Sequence, residues 1–114
     1  MARVTGTGSR LRGLVRIGPA MRMQIDKALA EAARRIQAEA RSRLRKTPGG
    51  VEVEVTVSRR GELAVDVVAA GPDAVELEYG SAGTAARPFL RPAVEAVRAD
   101  IDDLITRAVR KATQ

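Results

Sequence analysis

Hydrophobic spacing changes period twice along this chain, and those changes constrain what it can fold into. Ile25, Leu29, Ala32, Ile36, Ala40 and Leu44 recur at intervals of three and four. That spacing puts side chains on one face of an α-helix. In "VEVEVTVS", Val51, Val53, Val55 and Val57 alternate with Glu52, Glu54, Thr56 and Ser58, which is the period of a half-buried strand. Beyond Pro92 the intervals return to three and four, through Val94, Val97, Ile101, Leu104 and Ala108. The expected architecture is α+β: a long N-terminal helix, a three-stranded antiparallel sheet, and a C-terminal helix packed on one sheet face.

The boundaries follow from the punctuation. Residues 1–19 carry Gly6, Gly8, Gly13 and Gly18 among scattered arginines with no period, and read as a basic flexible arm. Residues 20–114 form the single domain. The first helix runs from about Ala20 to Arg45, and "TPGG" at 47–50 stops it, because Pro and Gly continue a helix only at a cost. After "VEVEVTVS", the turn "RRGE" leads into "LAVDVVAAG", where Leu63, Val65 and Val67 resume the alternation and close a hairpin. A further turn, "GPD", precedes "AVELEYG", read as a third strand with Val75, Leu77 and Tyr79 on one face. Pro92 suits the first turn of the last helix, where its missing N–H costs nothing. Early acids (Glu95, Asp100, Asp102, Asp103) and late bases (Arg107, Arg110, Lys111) suit its dipole.

Composition narrows the function. A chain of 114 residues is one domain's length, and Ala and Val supply most of its apolar content. Small side chains fill a core thinly, since stabilisation scales with buried apolar area, so help from a partner subunit is expected. There is no Cys and no His, which removes disulfides, thiolate metal sites and the commonest general base. No apolar run nears the roughly 18 residues of a membrane span. The basic start lacks the apolar core and cleavage site of a signal peptide. We therefore expect a protein that acts where it is made, or in a particle assembled there.

The net charge of +6 is unevenly spread. Residues 1–46 hold 12 Lys and Arg against 3 Asp and Glu, a net of +9; residues 47–114 hold 8 against 11, a net of −3. Arg34, Arg35, Arg41, Arg43 and Arg45 lie mostly off the apolar face of the first helix. They form a basic surface for nucleic acid, for an acidic neighbour or for solvent alone. Against nucleic acid, there is no recognition-helix turn, no zinc spacing, and no aromatic for stacking outside one segment.

That segment is "LEYGSAGTAARPFLRPAVEA", Leu77 to Ala96, which holds the only Tyr and the only Phe. Gly80 and Gly83 allow a sharp turn. Arg87 and Arg91 each precede a proline and are pushed towards extended backbone. Phe89 and Leu90, held between Pro88 and Pro92, have little freedom left to lose on burial. Two readings stand: the aromatics close the subunit's own core, or they anchor a neighbouring subunit.

The segment resembles the signature of the tailed-bacteriophage neck family, the head–tail joining or tail-completion proteins typified by the tenth gene product of a lambdoid phage. Glu78, Tyr79, Gly80, Thr84, Ala86, Pro88, Phe89, Leu90, Arg91, Pro92 and Ala93 occupy the matching positions, and the order of elements is similar over about residues 20–112. The chain departs from the family in having only "TPGG" after the first helix and three residues between Gly80 and Thr84. The resemblance implies a structural virion protein of the siphovirus type, assembled in the bacterial cytoplasm. It implies a homo-oligomeric ring, a hexamer, that joins the capsid connector to the tail. Portal-side adaptor or stopper proteins would lie on one side and tail-tube or terminator proteins on the other. Contact with phage DNA would be transient, with no membrane and no cofactor. It also implies a subunit or ring interface at Tyr79, Gly80, Thr84, Arg87, Pro88, Phe89, Leu90, Arg91 and Pro92. The closest alternative role is a tail terminator ring capping the tube; a basic nucleic-acid-binding module is the alternative of another class.

An enzyme is not expected. "GSAGT" is not a nucleophile elbow, no His serves a triad, and no P-loop is present. Glu52 and Glu54 share a strand's exposed face, while Asp102 and Asp103 diverge on a helix, so no catalytic or metal site converges.

Overall fold

The computed structural model describes residues 2–5 (backbone only) and 18–113. Its elements are β1 (Ala2–Thr5), α1 (Pro19–Arg45), β2 (Glu54–Gly61), β3 (Ala64–Ala70), α2 (Ala74–Tyr79) and α3 (Leu90–Thr113). The chain is α+β with long helices near both ends and an antiparallel hairpin between them.

The two long helices form where the spacing places them. α1 enters on Pro19 at its first position after Gly18, where the missing N–H costs nothing. It ends before Pro48, with the Thr47 hydroxyl donating to the Arg43 carbonyl at 3.1 Å. Its buried stripe is Ile25, Ala28, Leu29, Ala32, Ala33, Ile36 and Ala40. α3 packs along α1 more extensively than along any other element, and α1 is the helix that lies on β2 and β3. The C-terminal helix thus packs mainly on α1, while its residues share the main core cluster with residues of the hairpin. Small side chains explain the order: Ala28, Ala32, Ala33, Ala93 and Ala108 are all buried and let helix backbones approach closely. The pair is antiparallel. The start of α3 (Leu90, Ala93), with Phe89 just before it, shares a cluster with Ala40 and the hairpin residues Val55, Val67 and Ala69. Ala108, near its end, joins Ile25, Ala28 and Leu29.

The hairpin is antiparallel with Val55 opposite Ala69 and Val57 opposite Val67, and the register shifts between Arg59 and Gly61. β2 runs through Arg59 and Arg60 to Gly61, so the expected "RRGE" turn moves to Glu62 and Leu63. Leu63 takes φ 56°, unfavourable for a branched side chain. Two contacts hold it there. Its N–H donates to Asp26 Oδ1 at 3.0 Å, and its side chain packs on the Ile25–Leu29 cluster. Asp26 also pairs with Arg59 at 3.3 Å. Asp26→Ala should therefore lower stability by about 1.5 kcal/mol, the loss of a hydrogen bond to a charged acceptor, seen as a lower urea midpoint at unchanged slope.

The third strand expected at 75–79 does not form. Ala74–Tyr79 is a short helix, α2. It turns Ala74 and Glu78 inward and sets Leu77 against the core, a spacing of three and four that an extended segment cannot present on one side. The turn before it needs Gly71, whose φ is 136° and where a Cβ would lie 2.2 Å from the Glu52 carbonyl oxygen. Ala2–Thr5 instead lies along the other edge of β3, antiparallel, with Ala2 opposite Ala69 and Thr5 opposite Asp66. This part of the expected arm is therefore paired, and its last two residues are the cap and first residue of α1; residues 1 and 6–17 lie outside the described residues.

Candidate subunit interface

The segment from Leu77 to Ala96 folds around one buried carboxylate. Glu78 sits in α2, 7% exposed. Its Oε1 accepts from the N–H groups of Phe89 (3.0 Å) and Leu90 (2.9 Å), and its Oε2 from that of Arg91 (2.9 Å). A helix start leaves four backbone donors without internal partners. At α3 these belong to Phe89, Leu90, Arg91 and the residue at 92. Glu78 takes the first three, and Pro92 has no N–H to satisfy. The helix thus begins at Leu90, two residues earlier than the position of Pro92 suggests. The carboxylate's charge also faces the positive end of the α3 dipole.

The loop between cap and helix is short and tied at several points. Gly80 N–H donates to the Glu76 carbonyl (2.7 Å), Ser81 and Thr84 exchange two backbone bonds of 3.0 Å, and Arg87 N–H returns to the Leu77 carbonyl (2.8 Å). Gly80 has φ 78°, and a Cβ there would stand 2.9 Å from Ala86 N and 3.0 Å from Thr84 O. No other residue fits this close return without displacing backbone. The Ser81 hydroxyl adds a bond to Glu76 Oε1 at 3.0 Å.

The proposed contact residues divide into two groups. Phe89 and Leu90 are each 1% exposed and belong to the main core cluster, so of the two readings of the aromatics, Phe89 follows the core. Tyr79 is 60% exposed, with the Arg91 guanidinium 6.0 Å from its ring centroid, within cation–π range. Thr84, Arg87, Pro88 and Arg91 are exposed, and Gly80 and Pro92 are half-buried. The outcome is a ledge carrying Tyr79, Thr84, Arg87, Pro88 and Arg91, with Phe89 and Leu90 as its root.

Most of the basic residues of α1 are engaged within the subunit. Arg34 and Arg35 both bond Glu31, at 3.0 and 3.2 Å, and Arg35 reaches across to Asp100 on α3 at 3.2 Å. The hydrogen bond from Arg34, followed by that from Arg35, holds the Glu31 carboxyl below its ordinary range. The bond to Glu31 likewise raises Arg35. Arg43 pairs with Glu39 at 3.4 Å. Arg41, beside Gln37, donates to the Val55 carbonyl on the outer edge of β2, at 3.1 and 2.8 Å respectively. Arg45 is exposed and borders an open groove with Leu44, Val51 and Val53. The five do not form one free cationic field.

Among the described residues, no three His, Cys, Asp or Glu side chains are grouped so as to hold a metal ion, and no helix is long and apolar enough to cross a membrane. No family model, curated protein or solved structure matches the chain.

The role of Glu78 escapes sequence reasoning because its partners lie eleven to thirteen residues away, beyond the range of local capping patterns. α2 itself carried a signal: Asp73 at the cap position, Glu76 in the first turn and Gly80 after the last form a helix start-and-stop pattern.

Proposed function

We propose that this chain is a structural subunit of a tailed-phage neck, whose copies form a homo-oligomeric ring between the capsid connector and the tail through which DNA passes. The observation that carries this reading is the segment Leu77–Ala96. It resembles the neck signature, and its conformation is fixed by the Glu78 cap and the Gly80 return while polar and aromatic groups stay exposed on its outer side. A rigid surface loses little entropy when it docks, which is the property a repeated subunit contact needs. The internal pairing of Arg34, Arg35 and Arg43 leaves fewer free cations on α1 for phosphates, which weighs against the DNA-binding reading.

Cryo-electron microscopy of the overexpressed protein and of the particle tests the reading, with rings expected in the first and a ring at the head–tail junction in the second. A ring found only at the tube end makes the chain a tail terminator, and a chain absent from virions overturns the reading. Within the ring, Tyr79→Ser should weaken subunit association about 30-fold, the equivalent of about 2 kcal/mol at an aromatic anchor. The monomer's melting temperature should stay nearly constant, because the Tyr79 side chain lies largely outside the fold. Reversing Arg34 and Arg45 to glutamate should impair assembly more than DNA binding; loss of DNA binding with intact particles refutes the protein-facing role.

A further inference from the structure

The two edges of the sheet are finished differently. At the outer edge of β2, the Val55 carbonyl is taken by Gln37 and Arg41, and the register shift at Arg59–Gly61 distorts the strand beyond it. Blocked and bulged edges resist strand addition. The outer edge of β3 has no such device. It is filled by β1 in regular register over four rungs, and the β3 residues behind it, Asp66, Val67 and Ala69, are buried. This edge requires a strand, and its occupant is held by pairing to β3 and by lying against α2.

We propose that β1 is an exchangeable strand: in the assembled protein, Ala2–Thr5 of one copy pairs with β3 of a second copy in the register it adopts on its own. Every β1–β3 and β1–α2 contact is reproduced in the exchanged form, so exchange costs no contacts. The covalent reach is sufficient. Residues 6–17 separate Thr5 from Gly18, a maximum extended span of about 45 Å; this exceeds the 20 × 17 Å cross-section though not the 53 Å length, so it serves a copy placed alongside. In dilute solution the chain's own strand wins, because its effective concentration is on the order of millimolar. Copies fixed side by side remove that advantage. β1 also adjoins α2, which carries Tyr79, so an exchanged strand would tie together neighbours that meet at the ledge. The setting, though not the exchange itself, rests on the ring reading.

The chain contains no cysteine, so introduced thiols report cleanly. Chains carrying Arg3→Cys alone and chains carrying Val68→Cys alone, opposite one another in the register, are mixed, co-assembled at about millimolar concentration and oxidised. The expected product is a covalent dimer of one chain of each kind, about tenfold more abundant than in the same mixture diluted before oxidation. The doubly substituted chain should close on itself when dilute. Val4→Cys with Val67→Cys, the adjacent rung, repeats the test should the first pair fold poorly. Closure within the chain with no mixed dimer after assembly overturns the exchange, and so does the absence of both products. Mass measurement on the unsubstituted protein keeps the two ideas apart: an oligomer without mixed dimers refutes exchange alone, while a lone monomer at millimolar concentration refutes the ring.

Discussion

Glu78→Ala is expected to lower the unfolding free energy by about 3 kcal/mol, read as a fall of about 15 °C in melting temperature for a domain of this size. Three backbone donors, those of Phe89, Leu90 and Arg91, are bonded to one carboxylate. Phe89 and Leu90 are 1% exposed, so water does not readily replace the lost acceptor, and each buried donor left alone costs roughly 1–3 kcal/mol. Loss of the favourable charge at the helix start adds a few tenths to about 1 kcal/mol, while relaxation of the first turn returns part of the cost. Glu78→Gln should fall between wild type and alanine: its carbonyl oxygen serves Phe89 and Leu90, but its amide then presents N–H to the N–H of Arg91. The order Glu, Gln, Ala in urea midpoint, with faster hydrogen exchange at 89–91 ahead of the rest of α3, identifies the cap as the cause. An alanine variant within 1 kcal/mol of wild type rules it out.

That cap explains why the stiffest backbone of the chain and its one Phe lie together. Pro92 fills the one first-turn position whose donor Glu78 does not take. Pro88 and Gly80 shape a return short enough to bring Arg87 back to Leu77. "RPFLRP" therefore fixes a helix start first, and the exposed ledge is a consequence of that rigidity.

The parts legible in the sequence are those set by long-range period. Six apolar residues at three and four between Ile25 and Leu44, and four alternating valines from Val51, each repeat often enough to exclude the other structure, although β2 begins only at Glu54, so Val51 and Val53 precede the strand. "AVELEY" does not. In six residues Val75, Leu77 and Tyr79 alternate, yet Ala74, Leu77 and Glu78 also share a helical face, and tertiary contact decides between them. Here the deciding contact is Glu78 with the start of α3. The Ala2–Thr5 strand was hidden for a related reason: four residues next to a glycine-rich stretch carry no period, and their pairing is set by the open edge of β3. Of the candidate interface, the segment was legible but its inside and outside were not, because the two prolines constrain Phe89 and Arg91 alike and only packing separates them.

Phe89→Ala should be the most damaging single substitution in the chain, costing about 3–5 kcal/mol. Phe89 is the largest of the fully buried side chains, and the cluster around it is made mostly of Ala and Val. Such neighbours are too short to close the void by rotamer changes, so the cavity term is expected near the top of its range. Phe89→Leu keeps most of the volume and should cost about 1.5 kcal/mol or less. The pair also separates a core residue from an interface anchor. A core residue gives variants whose loss appears in the dilute monomer, as a lowered melting temperature independent of protein concentration, with assembly failing only because the subunit unfolds. An anchor leaves the monomer intact and shifts only the concentration dependence of assembly. Burial puts Phe89 in the first class; if the proposed subunit contact forms, exposed Tyr79 is the residue expected in the second. An alanine variant at 89 with wild-type melting and defective rings would reverse that assignment and return the segment's root to its surface.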